Sequence, residues 1–158
     1  MFRDLRRIKQ KLSHEECIEL LKNEKRAVLS VLGDDDYPYG MPVNHFYNEE
    51  DGKINIHGSK RGHKIDAIQR HDKVSLCVHD QGYQNEGEWA YHVKSVIVFG
   101  RIELISDMDK AIDICVKLSH KFTDDKDYIE YEINKNATAV QVLAITPEHI
   151  SGKAVTES

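Results

Sequence analysis

Residues 95–105 have the sequence SVIVFGRIELI, and they bear most directly on the fold. Val96 to Phe99 are apolar almost without alternation, which is typical of a strand with both faces covered. Gly100 interrupts this run, and a glycine inside a strand indicates a bulge or a sharp bend of the kind that closes a barrel. We therefore expect a bent strand within a closed sheet.

Other segments share the short, apolar and β-branched composition of strands. They are residues 27–33, 41–48, 54–59, 73–80 and 138–146. Asp51-Gly52 predicts a hairpin turn between the second and third strands of the chain. Pro147 is expected to end the last strand, because proline cannot donate a ladder hydrogen bond. The count is about six strands.

Three short helices are predicted between these strands. The sequence SHEE at residues 13–16 is a capping box, which predicts that a helix follows it. A second helix is expected over residues 62–69, and a third after Ser106 as its N-cap. The third helix has an apolar stripe at Ala111, Ile114, Cys115, Leu118 and Phe122. The charged segment 123–136 is assigned no element.

The order of the predicted elements favours an antiparallel barrel with helices outside it. There is no regular alternation of strands and helices, as a doubly wound parallel sheet would require. With 158 residues, the chain is expected to form one domain spanning residues 1–158.

Composition excludes several classes of function. The net charge of -5 argues against a general nucleic-acid binder, and no apolar run approaches the roughly 18 residues of a membrane span. The first 12 residues lack the apolar region of a secretory signal. Cys17, Cys77 and Cys115 form no CxxC pair, so we expect reduced thiols in a cytoplasmic protein.

Residues 56–66, IHGSKRGHKID, gather cations around two glycines where a strand gives way to a helix. The start of a helix presents free backbone amides and about half a positive charge, so a phosphate group fits there. Lys60, Arg61, His63 and Lys64 could add hydrogen bonds worth roughly 1.5–3 kcal/mol each if sheltered from water. A solvated loop is the alternative, because the spacing matches neither a P-loop nor GxGxxG.

Three motifs occur in a fixed order along the chain: DDYPYGMPVNHFY (35–47), INIHGSKRGHKIDAIQRHDKVSLCV (54–78) and SVIVFGRIE (95–103). In order and spacing they resemble the flavin-binding split barrels of the pyridoxamine 5′-phosphate oxidase superfamily, in particular its nitroimidazole-resistance (Nim-like) subgroup. The resemblance covers about residues 25–105. The C-terminal third fits by general pattern only.

This resemblance implies a mainly β protein: a six-stranded antiparallel split β-barrel with short flanking helices, forming a homodimer with FMN at the subunit interface. The ring of the flavin would lie along β-strand residues 42–44, and its ribityl chain and phosphate along residues 57–64, with residues 95 and 96 approaching from another strand. The cofactor-binding residues so implied are Pro42, Val43, Asn44, His57, Gly58, Ser59, Lys60, Gly62, His63, Lys64, Ser95 and Val96. His63 and Lys64 occupy the position of an Arg-Lys phosphate pair in the oxidases.

The function implied is an FMN-dependent oxidoreductase acting on a small molecule, and the subgroup suggests nitroaromatic reduction. The sequence identifies no catalytic residue. The C-terminal GKAVTES (152–158) lacks the basic, aromatic substrate motif of the oxidases that make pyridoxal phosphate, so that reaction is not expected.

Two other functions remain open. One is a flavin-binding, stress-related protein without turnover. The other is a haem-binding protein on the same barrel, using His45, His57 and His63. The sequence contains neither HExxH nor a Cys/His cluster, so no metal site is predicted.

Overall fold

Six antiparallel strands form a closed barrel in the computed structural model, which describes residues 2–157. The strands are β1 (Arg26–Leu32), β2 (Pro38–Asn48), β3 (Lys53–Ser59), β4 (Lys73–His79), β5 (Tyr91–Ile105) and β6 (Val140–Glu157). Around the barrel their order is β1-β2-β3-β6-β5-β4. The prediction of a mainly β fold with six antiparallel strands is confirmed.

Four helices flank the barrel. They are α1 (His14–Asn23), α2 (His63–Arg70), α3 (Met108–His120) and α4 (Lys126–Asn136). The capping box of α1 is confirmed, since the Ser13 hydroxyl accepts from the Glu16 amide at 3.1 Å and the Glu16 carboxylate accepts from the Ser13 amide at 2.8 Å. Over the described residues, no helix is long and apolar enough to cross a membrane.

The barrel interior is filled by alternate residues of the strands, because successive side chains of a strand point to opposite faces. Val74, Leu76 and Val78 of β4 are buried, as their alternation in the sequence predicts. In β5 the same alternation holds, so a single chain buries one face of the 96–99 run, and the expected covering of its other face by a partner subunit stays a prediction. Ile97 and Phe99 remain 40% and 41% exposed.

The bulge predicted at Gly100 is confirmed, and it explains why the last strand does not stop at Pro147. The pairing of β5 with β6 shifts between Phe99 and Gly100, which pair with His149 and Pro147, so Glu148 is the extra residue. Proline is tolerated at such a bulge because the ladder is interrupted there. A side chain at position 100 would collide with the carbonyl oxygen of Thr146.

Two predictions about the helices are wrong. The charged segment 123–136, for which the sequence predicts no element, forms α4 over most of its length. The N-cap of α3 is Asp107 rather than Ser106, and its carboxylate accepts from the amides of Asp109 and Lys110 at 3.0 and 3.2 Å. Aspartate is as good an N-cap as serine, so the sequence left the choice between adjacent residues open.

His45 is a fully buried polar residue of the barrel. Its Nε2 lies 2.7 Å from the carbonyl oxygen of Leu21 in α1, so this nitrogen carries the proton and donates it. The Lys121 ammonium donates to the His45 carbonyl at 2.7 Å. Burial, and second the charge of Lys121, lower the pKa of His45 to about 4. The fold therefore requires a neutral imidazole at this position.

We expect acid to destabilise the protein through His45. In the unfolded chain this histidine binds a proton near pH 6.5, whereas in the folded chain it does so only near pH 4. Stability should therefore fall as the pH drops through that window, by up to roughly 3 kcal/mol. Urea unfolding at several pH values measures the effect.

The matched variants for this measurement are H45Q and H71Q. His71 is exposed, so its replacement should leave the acid dependence unchanged, whereas H45Q should flatten the dependence between pH 6.5 and 4. An equal slope in wild type and H45Q would contradict the assignment.

Candidate functional site

The N-terminus of α2 presents free backbone amides to solvent. Gly62 precedes the helix with φ of +126°, a conformation that favours glycine, and no side chain caps the first turn. A Cβ atom at Gly62 would meet nothing within 4 Å, so the space beside it is open. The predicted strand-to-helix transition is confirmed, with α2 beginning one residue later than expected. Such an end attracts anions.

Lys64, in the first turn of α2, is half-buried and extends its ammonium group to Gly58 of β3. Its Nζ lies 2.7 Å from where a Cβ of Gly58 would stand, so the missing side chain of Gly58 makes room for the lysine. Burial lowers the pKa of Lys64. With the residues that the structure describes, neither Lys64 nor the exposed Lys60 and Arg61 forms an ion pair. The Ser59 hydroxyl donates to the Arg61 carbonyl at 2.7 Å and shapes the loop.

The two histidines of the predicted site, His57 and His63, have different surroundings. His57, near the end of β3, reaches solvent, yet burial and second the charge of Lys64 lower its pKa. His63 stacks on Tyr39 with ring centroids 4.2 Å apart. Its Nε2 accepts from the Asp34 amide at 3.2 Å. His63 therefore ties α2 to the turn between β1 and β2, while Lys64 is directed to β3.

Strands β2 and β3 separate beside this helix. Their pairing ends at His45 and Ile56, after which β2 pairs only with β1, and β3 only with β6. Residues 42–44 come just before His45 in β2, and residues 57–59 come just after Ile56 in β3. Both segments therefore lie beyond the last β2–β3 pair, on the same side of it. The structure thus brings the segments predicted for the flavin ring and for its phosphate to one opening in the barrel.

The remaining residues predicted to bind the cofactor differ in whether their side chains are exposed or buried. Pro42 and Asn44 are exposed, whereas Val43 and Val96 are buried in the core, so the last two could contact a ligand only through their backbone. Ser95 is half-buried on β5. Two strands, β1 and β4, lie between β2 and β5 in the barrel. Within one chain, residues 95 and 96 are therefore not adjacent to residues 42–44.

The three histidines considered for haem or a metal do not converge. The His45 ring is directed to the Leu21 carbonyl of α1, His57 lies near the end of β3, and the His63 ring packs against the β1–β2 turn. Within residues 2–157, no group of three His, Cys, Asp or Glu side chains is arranged to hold a metal ion.

An uncharged surface, which we call the outer face, crosses β2, β1, β4 and β5. Its residues pair across the strands in two rows, one of Pro42, Val28, Cys77 and Ile97 and the next of Gly40, Ser30, Ser75 and Phe99. All eight are apolar or small, and Val28, Ile97 and Phe99 are exposed large side chains. A contiguous apolar surface of this kind is typical of an interface.

The close contact between Gly58 and Lys64 is testable. In the G58A variant the added methyl group should push the lysine amine toward water, so the lowered pKa of Lys64 should rise toward its usual value. NMR titration of labelled lysine side chains measures this change. G40A is the control, since a Cβ at Gly40 meets its nearest neighbour at 3.4 Å and lies on another strand. An unchanged Lys64 titration in G58A would show that the amine is not held there.

Comparison with known proteins supplies a family and a shared fold. Residues 13–154 match a family model described as pyridoxamine 5′-phosphate oxidase. None of the curated proteins matches this sequence.

Solved structures with the same fold include three informative neighbours. A candidate 5-nitroimidazole antibiotic resistance protein from Bacteroides thetaiotaomicron is 18% identical, with TM-score 0.78 and coverage of 93% of this chain and 87% of that one. The flavocytochrome from Azotobacter vinelandii is 20% identical, with TM-score 0.77 and coverage of 97% and 72%. An FAD- and heme-binding protein from Mycobacterium smegmatis is 22% identical, with TM-score 0.71 and coverage of 95% and 74%. At 18–22% identity, the similarity to these structures shows a shared fold only.

Proposed function

The chain belongs to the pyridoxamine 5′-phosphate oxidase family, and we propose that residues 1–158 form a single-domain, FMN-binding oxidoreductase that reduces a small molecule such as a nitroaromatic compound. The observation that carries this proposal is the uncapped N-terminus of α2, with Lys64 in its first turn and the Lys64 amine next to Gly58 of β3. When bound, FMN supplies the electron or hydride chemistry. The three cysteines are free, as is usual in the cytoplasm, where we place the protein.

The phosphate of FMN fits the α2 terminus by charge and by hydrogen bonding. A dianion there would accept from the free amides of the first turn and would pair with Lys64, whose charge is otherwise unmatched. Lys60 and Arg61 lie in the exposed loop before the helix and would add charge from the solvent side. His63 would contribute less, because it is engaged with Tyr39 and Asp34.

The flavin ring would occupy the opening between β2 and β3. Pro42 and Asn44 would contact it through exposed side chains, and Val43 through its backbone. The ribityl chain would run past His57, Gly58 and Ser59 at the end of β3. These groups bind and orient the ring; they do not transfer electrons themselves.

We propose that Ser95 and Val96 reach the flavin from a second subunit, because in one chain they lie two strands from residues 42–44. The outer face is the surface through which the two copies would meet. It is uncharged, and its exposed Ile97 and Phe99 would be covered in a dimer.

The phosphate assignment predicts a selective loss of affinity. K64A should weaken FMN binding by about tenfold to a hundredfold, corresponding to roughly 1.5–3 kcal/mol. Riboflavin, which lacks the phosphate, should be nearly indifferent to the change. The control is K110A, since Lys110 is an exposed lysine of α3. Equal losses for FMN and riboflavin in a fluorescence titration would remove Lys64 from the phosphate site.

The dimer assignment predicts a mass of about twice 18.2 kDa in sedimentation equilibrium at micromolar protein. F99D should shift the protein toward monomer and weaken FMN binding, because a carboxylate would be buried in the interface. Y131D is the matched control, since Tyr131 is an exposed aromatic residue of α4 away from the outer face. A monomeric wild type that still holds FMN would show that the cofactor site is complete in one chain.

The absorption spectrum of freshly purified protein tests the cofactor itself. Flavin bands, with FMN identified by mass spectrometry after release, would support the proposal, whereas a Soret band would favour haem. Anaerobic assays with NAD(P)H and a panel of nitroaromatic compounds then test turnover. A flavin-loaded protein that reduces none of them would be a binding protein instead.

A further inference from the structure

A pocket of about 200 Å³ lies between α3, α4 and the strands β3 and β6. We call it the α3–α4 pocket. Most of its wall is apolar and comes from Ala111, Cys115, Leu118, Ile133, Ala137 and Val142. The sequence does not predict this pocket, because one of its walls is α4, a helix that the sequence does not predict.

Four polar residues line the pocket: His57, Ser119, Glu132 and Asn136. The Ser119 hydroxyl donates to the Cys115 carbonyl at 2.7 Å, and the Asn136 amide donates to the Glu132 carbonyl and carboxylate at 3.1 and 3.0 Å. His57 also lines the pocket and has no hydrogen-bond partner among residues 2–157. Among the residues described, His57 is therefore the polar lining residue with neither ring nitrogen paired, whereas Glu132 accepts from Asn136 through one of its two oxygens.

The size and the chemistry of this space select a class of ligand. An apolar cavity of about 150 Å³ stays dry and holds benzene, so this pocket has room for an aromatic ring. Met108 and Cys115 add sulfur atoms to the wall, and sulfur packs well against aromatic rings. Met108 is partly exposed and flexible, so it can adapt to ligands of somewhat different shape.

The state of His57 defines the polar group of the ligand. Because its pKa is lowered, the imidazole is mainly neutral at pH 7, with one nitrogen that donates and one that accepts. A hydroxyl or ring N–H group can satisfy it. A purely apolar molecule would leave His57 without a partner beneath the ligand.

We propose that the α3–α4 pocket binds an aromatic molecule of one or two rings that carries a single hydroxyl or ring N–H group, hydrogen-bonded to His57. The pocket lies apart from the proposed position of the flavin ring, since residues 42–44 do not line it, and it shares only His57 with the proposed path of the ribityl chain. The proposal does not require that flavin binds.

Phenol and toluene, which have the same size and differ in one hydrogen-bonding group, test this site. Each is titrated into the purified full-length protein, and amide chemical shifts are followed by NMR. We expect saturable binding at millimolar concentrations. The shift changes should be centred on α3, α4 and residue 57, and phenol should bind about threefold to tenfold more tightly than toluene. No saturation, or changes centred on the outer face, would overturn the proposal from the wild-type protein alone.

Three variants sharpen the result. A137L places a larger side chain in the wall and should weaken phenol binding tenfold or more, whereas A139L changes an exposed alanine outside the pocket and should not. H57L should abolish the preference for phenol over toluene while toluene still binds. Unchanged phenol binding in a folded A137L variant, or a preserved preference in H57L, would contradict the assignment.

Discussion

Strand β6 pairs with β5 over fifteen residue pairs and with β3 over six, and the barrel closes through this double pairing. The pairing of Gly58 with Gln141 and of Ser59 with Val140 holds the end of β3 in place. β2 can then separate from β3 at this end, while the pairing of residues 45–48 with residues 53–56 keeps the two strands joined at the other end. The start of α2, the gap between β2 and β3, and the wall of the α3–α4 pocket all depend on β6, because each is built on β3 or on β6 itself.

The sequence predicted the parts of this architecture that local rules determine. Alternation located the strands, the capping box at Ser13 located α1, and Gly100 located the bulge. The errors arise where tertiary structure decides. A proline normally ends a regular strand. Pro147 does not, because it lies at the bulge, where the hydrogen-bond ladder is already interrupted. The segment 123–136 has too few apolar residues to stand out as a helix, and α4 forms with Ile129 as its single buried residue.

The sequence predicts which segment forms the candidate site, but not how the side chains of that segment are directed. The glycines and cations of residues 56–66 mark a place where a strand meets a helix, and the structure has that transition. The direction of each side chain depends on contacts with distant strands. His63 faces Tyr39 because α2 packs beside the β1–β2 turn, and the amine of Lys64 occupies the space that Gly58 leaves open. No pattern along the chain encodes either contact.

Lys64 and His57 link the anion site of α2 to the α3–α4 pocket. The charge of Lys64 is one cause of the lowered pKa of His57, after burial. An anion bound at the α2 terminus would offset that charge and raise the pKa of His57. The imidazole would then more often be protonated and donate from both nitrogens, which favours a ligand group that accepts. Because such coupling is reciprocal, a pocket ligand that favours the protonated ring would in turn strengthen anion binding. If both proposed sites are occupied, they would therefore be coupled through the charge of Lys64 and the protonation of His57.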